Sequence, residues 1–99
     1  MSERRKETII ERGMESLKIE AAAISEIIDY LDIDRFYEAV EVLSSCPKII
    51  TCASGSSGIA AKKFSHSLNC IEKNAQFLSP ALAIHGGMGC MKAGDAVVM

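Results

Sequence analysis

The segment of this sequence best suited to chemistry is a run of serines and glycines, Ser54-Gly55-Ser56-Ser57-Gly58. Glycines let a backbone approach a ligand closely, and serine hydroxyls donate hydrogen bonds. A helix that follows such a segment adds free N–H groups and a positive dipole end. A phosphate or carboxylate group fits that combination. The segment contains neither the phosphate-loop motif G-x-x-x-x-G-K-[ST] nor the dinucleotide motif G-x-G-x-x-G. A tight turn that binds nothing is the alternative.

A histidine among apolar and glycine residues is the second candidate. His85 follows Ile84 and precedes Gly86 and Gly87. Glycines at such a position indicate a backbone that lies close to a ligand or to another chain. A lone histidine in an apolar stretch is more often structural than catalytic, so both roles stay open for His85. No role is assigned to His66.

Two helices are predicted before these residues, and they define an N-terminal helical region over residues 1–46. Apolar residues at alternating spacings of three and four mark one face of a long helix over Glu7–Leu31. This face favours a core helix, with a subunit interface as the alternative. Asp32 or Asp34 can cap a second helix, which ends near Ser45, ahead of a proline.

The chain from residue 47 to residue 99 alternates strands with helical segments, which predicts a parallel sheet. Short apolar runs predict three strands, at residues 48–53, 74–78 and 96–99. A helix over Ile59–Leu68 follows the Ser/Gly segment, which then lies at the carboxyl edge of the sheet, where open α/β folds bind ligands. Because the last strand is apolar, we expect further chain or another chain to cover its open edge.

The composition excludes several classes of protein. The 99 residues are 48% hydrophobic with a formal charge of −2, which argues against a nucleic-acid binder that relies on a basic surface. Residues 1–48 hold seven basic and 11 acidic side chains, whereas residues 49–99 hold four basic and two acidic ones. An anion is therefore expected to bind the second half. The charged N-terminus and the short apolar runs predict neither a signal peptide nor a membrane span.

The four cysteines do not form a recognisable metal or redox motif. Cys46, Cys52, Cys70 and Cys90 lie in or beside apolar segments, and no two of them have C-x-x-C spacing. We expect reduced thiols in a soluble, cytoplasmic protein that uses no metal and no cofactor.

Several short motifs of the second region agree in order and spacing with one known family. They are the strand, Ser/Gly segment and helix of Ile49–Leu68, then Phe77-Leu78-Ser79-Pro80-Ala81, then His85-Gly86-Gly87-Met88-Gly89. Together they resemble the sugar isomerase (SIS) domain, and within it the arabinose 5-phosphate isomerase branch. That branch has a G-M-G-K-S-G loop, an H-P-A-E-A-x-H-G-D-L-G segment and a G-D-V-V-like strand. The 29 residues from Ser56 to His85 also agree with it.

The resemblance implies a three-layer α/β/α fold with a five-stranded parallel sheet, in a flavodoxin-like arrangement. This chain is expected to hold the N-terminal half of that domain over residues 47–99, with about three strands preceded by a helical hairpin. The family binds phosphorylated sugars, catalyses aldose–ketose isomerisation in many members, and forms dimers or tetramers. A sugar phosphate and a homo-oligomeric partner are therefore the expected partners. The alternative is a non-catalytic assembly or regulatory module with a degenerate ligand site.

The resemblance is mixed at the level of single residues. Gly55, Ser57 and Gly58 match the family's ligand-binding loop, and His85 matches its active-site histidine. Ser54 stands where the loop has methionine, so its candidate role rests on chemistry and position. Four positions hold neutral residues where the branch has charged or titratable ones, namely Ser56, Ser79, Leu82 and Gly87. We expect Ser54–Gly58 to contact the ligand and His85 to position it or to transfer a proton, and the sequence leaves isomerase activity open.

Overall fold

The structure, a computed structural model, describes residues 2–99 of the chain. Contacts between backbone atoms divide these residues into two compact units, one that ends at Phe36 and one that comprises Tyr37–Met99. The expected division into residues 1–46 and 47–99 stays a prediction.

The first helix, α1, covers Glu3–Tyr30 and begins earlier than the sequence predicts. The cause is Ser2, whose hydroxyl accepts a hydrogen bond from the Arg5 backbone N–H at 3.3 Å and so caps the helix. The helix ends where Leu31 turns to an extended conformation. No residue of α1 is buried, so the predicted core helix is not observed within the unit that ends at Phe36.

The second helix, α2, covers Ile33–Ser45. Of the two possible caps, Asp32 is the one used, because its carboxylate accepts a hydrogen bond from the Arg35 backbone N–H at 3.1 Å. The predicted end of α2 near Ser45 is confirmed.

A three-stranded parallel sheet follows. Its strands are β1 (Ile49–Thr51), β2 (Ala75–Phe77) and β3 (Ala96–Val98), in the order β2-β1-β3. Helix α3 (Gly55–Cys70) connects β1 to β2, while α4 (Pro80–Ala83) and a 3₁₀ turn at Gly87–Cys90 precede β3. In both pairings Ile49 is the first paired residue of β1, opposite Ala75 on one side and Ala96 on the other. The predicted α/β class with a parallel sheet is confirmed.

The core of the second unit is built around the central strand. All three residues of β1, Ile49, Ile50 and Thr51, have no exposed surface. The Thr51 hydroxyl lies 2.8 Å from the Ala61 carbonyl oxygen and 2.8 Å from the Ser65 hydroxyl, both on α3. These bonds satisfy a buried polar group and attach α3 to the strand that precedes it.

An ion pair lies at the amino edge of the sheet, opposite the edge where ligands are expected. Lys48 Nζ is 3.4 Å from Asp95 Oδ2, and these side chains are only 17% and 4% exposed. Asp95 Oδ2 also accepts a hydrogen bond from the Lys92 backbone N–H at 2.7 Å, and the Ala96 N–H donates to the Lys48 carbonyl oxygen at 3.0 Å. Side chains and backbone therefore join the starts of β1 and β3 at the same place.

All four cysteines are free thiols in the structure. None of the helices within residues 2–99 combines the length and the apolar character needed to cross a membrane.

Replacing Ile50 by alanine is expected to destabilise the fold by about 3 kcal/mol, because it leaves a cavity in the fully buried strand. In a domain of this size that loss lowers Tm by at least about 10 °C, measurable by circular dichroism. Ile71→Ala is the matched control, since Ile71 is 74% exposed, and it should change stability by less than about 0.5 kcal/mol. Equal losses from both variants would contradict the central position of β1.

Candidate functional site

The segment that the sequence places in a loop is the first turn of a helix. Helix α3 begins at Gly55 rather than at Ile59, with Ser54 as its extended N-cap residue. The first helical bond runs from the Gly58 N–H to the Ser54 carbonyl oxygen at 3.1 Å. Serine and glycine are poor helix formers, but here packing against the end of β1 outweighs their intrinsic preference. The predicted loop boundary was therefore wrong by four residues.

Two glycines make this close packing possible. Gly55 has a φ of 60°, a left-handed conformation that is unfavourable for residues with a side chain. At Gly58 a Cβ atom would lie 2.7 Å from the Ala53 carbonyl oxygen, which is closer than non-bonded atoms approach. The first turn of α3 therefore rests directly on the backbone that leaves β1.

Two serine hydroxyls at the carboxyl edge of the sheet are not used by the fold. Ser54 precedes α3 and Ser79 precedes α4, and neither side chain caps its helix. The first backbone N–H groups of a helix have no partner within that helix. The hydroxyls and these amides are consequently available to a bound oxygen-rich group.

The structure places these groups around a cavity between the ends of β1 and β2, which we call the β1–β2 cavity. Its volume is about 300 Å³, at the lower limit of small-molecule pockets. It is lined by Ala53, Ser54, Gly55, Gly58, Ile59, Lys62, Phe77, Ser79, Pro80 and Ala81. Three of the five predicted residues of the Ser/Gly segment therefore line one cavity.

A second cavity, which we call the β1–β3 cavity, lies on the other side of the first turn of α3. Its volume is about 390 Å³, and it is lined by Thr51, Cys52, Ala53, Ser57, Ala60, Ala61, Phe64, Val98 and Met99. The cavity lies at the carboxyl ends of the neighbouring strands β1 and β3, the edge at which parallel α/β sheets commonly bind ligands. Of the predicted residues, only Ser57 lines it.

The remaining two predicted residues line neither cavity. Ser56 is exposed on the first turn of α3. His85 is exposed after α4, where its backbone N–H donates to the Leu82 carbonyl oxygen at 3.0 Å. The role expected for His85 beside Ser54–Gly58 stays a prediction.

Sequence reasoning missed one charged residue of the β1–β2 cavity. Lys62 Nζ lies 5.2 Å from the centre of the Phe77 ring, and both residues line the cavity. The signal was present in the spacing, because Ser54, Gly58 and Lys62 follow one another at intervals of four and so share one face of α3. No three metal-ligating side chains gather anywhere in the described chain.

Comparison with proteins of known sequence supports a relationship to sugar-phosphate isomerases. The arabinose 5-phosphate isomerases GutQ of Escherichia coli K12 and of Salmonella typhimurium are each 28% identical to this chain over 93 residues. The aligned part is 93% of this chain and 29% of either relative. No protein-family model matches the chain.

A solved structure agrees with the fold as well. It is the crystal structure of a "putative sugar-phosphate isomerase" from Listeria monocytogenes, with a TM-score of 0.88 and 35% sequence identity. The match covers 98% of this chain and 50% of that one. The chain thus has the SIS-type α/β fold that its motifs imply, and it spans half the length of this structural relative.

Gly58→Ala is expected to destabilise the second unit by about 1–3 kcal/mol, because the added Cβ meets backbone that cannot move aside. Thermal unfolding measures the loss. Gly89→Ala is the control, since a Cβ there meets nothing within 4 Å. If both variants were as stable as the unmodified chain, the close approach of α3 to β1 would be incorrect.

Proposed function

We propose that this chain binds a phosphorylated sugar at the carboxyl edge of its sheet, as part of a sugar-phosphate isomerase similar to the arabinose 5-phosphate branch of the SIS family. The observation that carries the proposal is the β1–β2 cavity, which combines unused hydroxyls with a helix N-terminus and a lysine. The relatives, each named as a sugar-phosphate isomerase, point to the same class of ligand.

The chemistry of the cavity suits such a ligand. A sugar phosphate presents several hydroxyls and a phosphoryl group, all of which accept hydrogen bonds. Ser54 and Ser79 offer hydroxyl donors, and the first turn of α3 offers backbone amides with a positive dipole end. Ser57 offers a further hydroxyl on the side of the β1–β3 cavity.

The proposed isomerase activity concerns a complete catalytic site, of which this chain would supply a part. Aldose–ketose isomerisation moves a proton between adjacent carbons and therefore needs a base near the bound sugar. His85 is the residue of this chain proposed for proton transfer or for positioning the ligand. His85 is exposed, and it is far from Ser54 in the sequence. It would therefore contribute to a site that is formed by several elements of the fold. The chain spans 29% of the curated relatives, so catalysis is proposed for the complete site.

Millimolar arabinose 5-phosphate, ribose 5-phosphate or glucose 6-phosphate is expected to raise the Tm of the 99-residue chain. A ligand at ten times its Kd stabilises the folded state by about 1.4 kcal/mol, or about 5–10 °C in a domain of this size. The corresponding unphosphorylated sugars should give a smaller shift.

Ser54→Ala should reduce the shift, because it removes a hydroxyl that lines the cavity, whereas Ser67→Ala on the same helix should leave it unchanged. Absence of a shift with every sugar phosphate would contradict the proposed function and favour a non-catalytic assembly module.

We also propose that the chain forms a homo-oligomer in the cytoplasm. The apolar side chains of α1 support the oligomer, because Met14, Leu17, Ile24 and Ile28 are all more than half exposed in the single chain. Such a face is typical of surfaces that associate. Light scattering should therefore give a mass of at least a dimer, and Leu17→Lys should lower it. A stable monomer at high concentration would contradict the oligomer.

A further inference from the structure

Building on the proposed function, we propose that Lys62 is the residue that selects a phosphorylated ligand over a neutral one. Its ammonium group would bind the phosphoryl oxygens of a ligand in the β1–β2 cavity. Neither the sequence motifs nor the names of the relatives assign a role to this residue.

The charges around the cavity give the first reason. Lys62 is the single charged side chain among the ten residues that line the β1–β2 cavity, all of which lie in the described part of the chain. No carboxylate among them competes for the ammonium or repels an anion. One uncompensated positive charge beside hydroxyl donors favours a phosphate over an uncharged sugar hydroxyl.

The contact with Phe77 gives the second reason. The ring lies 5.2 Å from Lys62 Nζ, and an ammonium over an aromatic face is held by a weak electrostatic attraction at an exposed site. The ring therefore keeps the charge at the end of β2 without forming a salt bridge that a ligand would have to break. The three donor hydrogens of the ammonium stay free to bind an anion.

The position of Lys62 on α3 gives the third reason. Ser54, Gly58 and Lys62 lie about one turn apart on the same face of the helix. Lys62 therefore follows the glycine that packs on the backbone leaving β1, and all three residues line the same cavity. Lys62 supplies a positive charge on this face, about two turns after the N-cap. A lysine suits this role because its flexible stem carries a compact charge.

The experiment compares Lys62→Met with Lys63→Met in the 99-residue chain. The two variants lose the same charge from neighbouring positions of α3, but Lys63 lines neither cavity. We expect Lys62→Met to weaken the binding of arabinose 5-phosphate and glucose 6-phosphate about tenfold, as for the loss of one charge-assisted contact. Lys63→Met should change Kd by less than about twofold.

Two further measurements separate a contact from a structural effect. Lys62→Arg should restore most of the affinity, because it restores the charge. Inorganic phosphate should compete with the sugar phosphate in the unmodified chain and compete much less in Lys62→Met. Binding to the unmodified chain should also weaken more steeply with salt than binding to Lys62→Met.

The outcomes distinguish this inference from the proposed function. If the unmodified chain binds sugar phosphates and Lys62→Met binds them equally well, the role of Lys62 is wrong and the proposed function stands. Equal losses in Lys62→Met and Lys63→Met would also overturn it, since they would indicate a general effect of charge. If the unmodified chain binds no sugar phosphate, both proposals fail together.

Discussion

The complete burial of β1 is the constraint on which the second unit depends. Strands pair with β1 on both sides, and α3 attaches to it through the Thr51 hydroxyl. The hydrogen bonds of the backbone continue past its end, because Leu78 N–H donates to the Thr51 carbonyl oxygen at 2.8 Å and Cys52 N–H donates to the Val98 carbonyl oxygen at 2.9 Å. The ends of all three strands are thereby held together at the carboxyl edge of the sheet. The groups proposed to bind a ligand lie at that edge.

Much of this arrangement could be predicted from local patterns. Short apolar runs predict the strands because a strand covered on both faces needs no polar alternation, and α/β alternation predicts parallel pairing. The end of α2 near Ser45 follows from the proline after it. These features depend on residues that are close together in the sequence. They can therefore be predicted from short segments of it.

The distribution of the site residues could not be predicted in the same way. The motif treats Ser54–Gly58 as one loop, whereas the first turn of α3 divides it, with Ser54 facing one cavity and Ser57 the other. That division depends on how closely α3 crosses the end of β1, which is a contact between distant parts of the backbone. The spacing from Ser54 to Lys62 is visible in the sequence, but the position of Lys62 beside Phe77 of β2 is not, because it depends on a contact between distant residues.

The two glycines at the start of α3 also determine where this surface can change. Gly55 requires its backbone conformation and Gly58 requires the absence of a side chain, so neither position accepts substitution without strain. Ser56 lies between them, exposed and without a packing role. The side chain at position 56 can therefore change without a change in the backbone of this helix turn. A substitution at Ser56 is expected to change the exposed surface of this helix turn and to keep the same turn over the same strand.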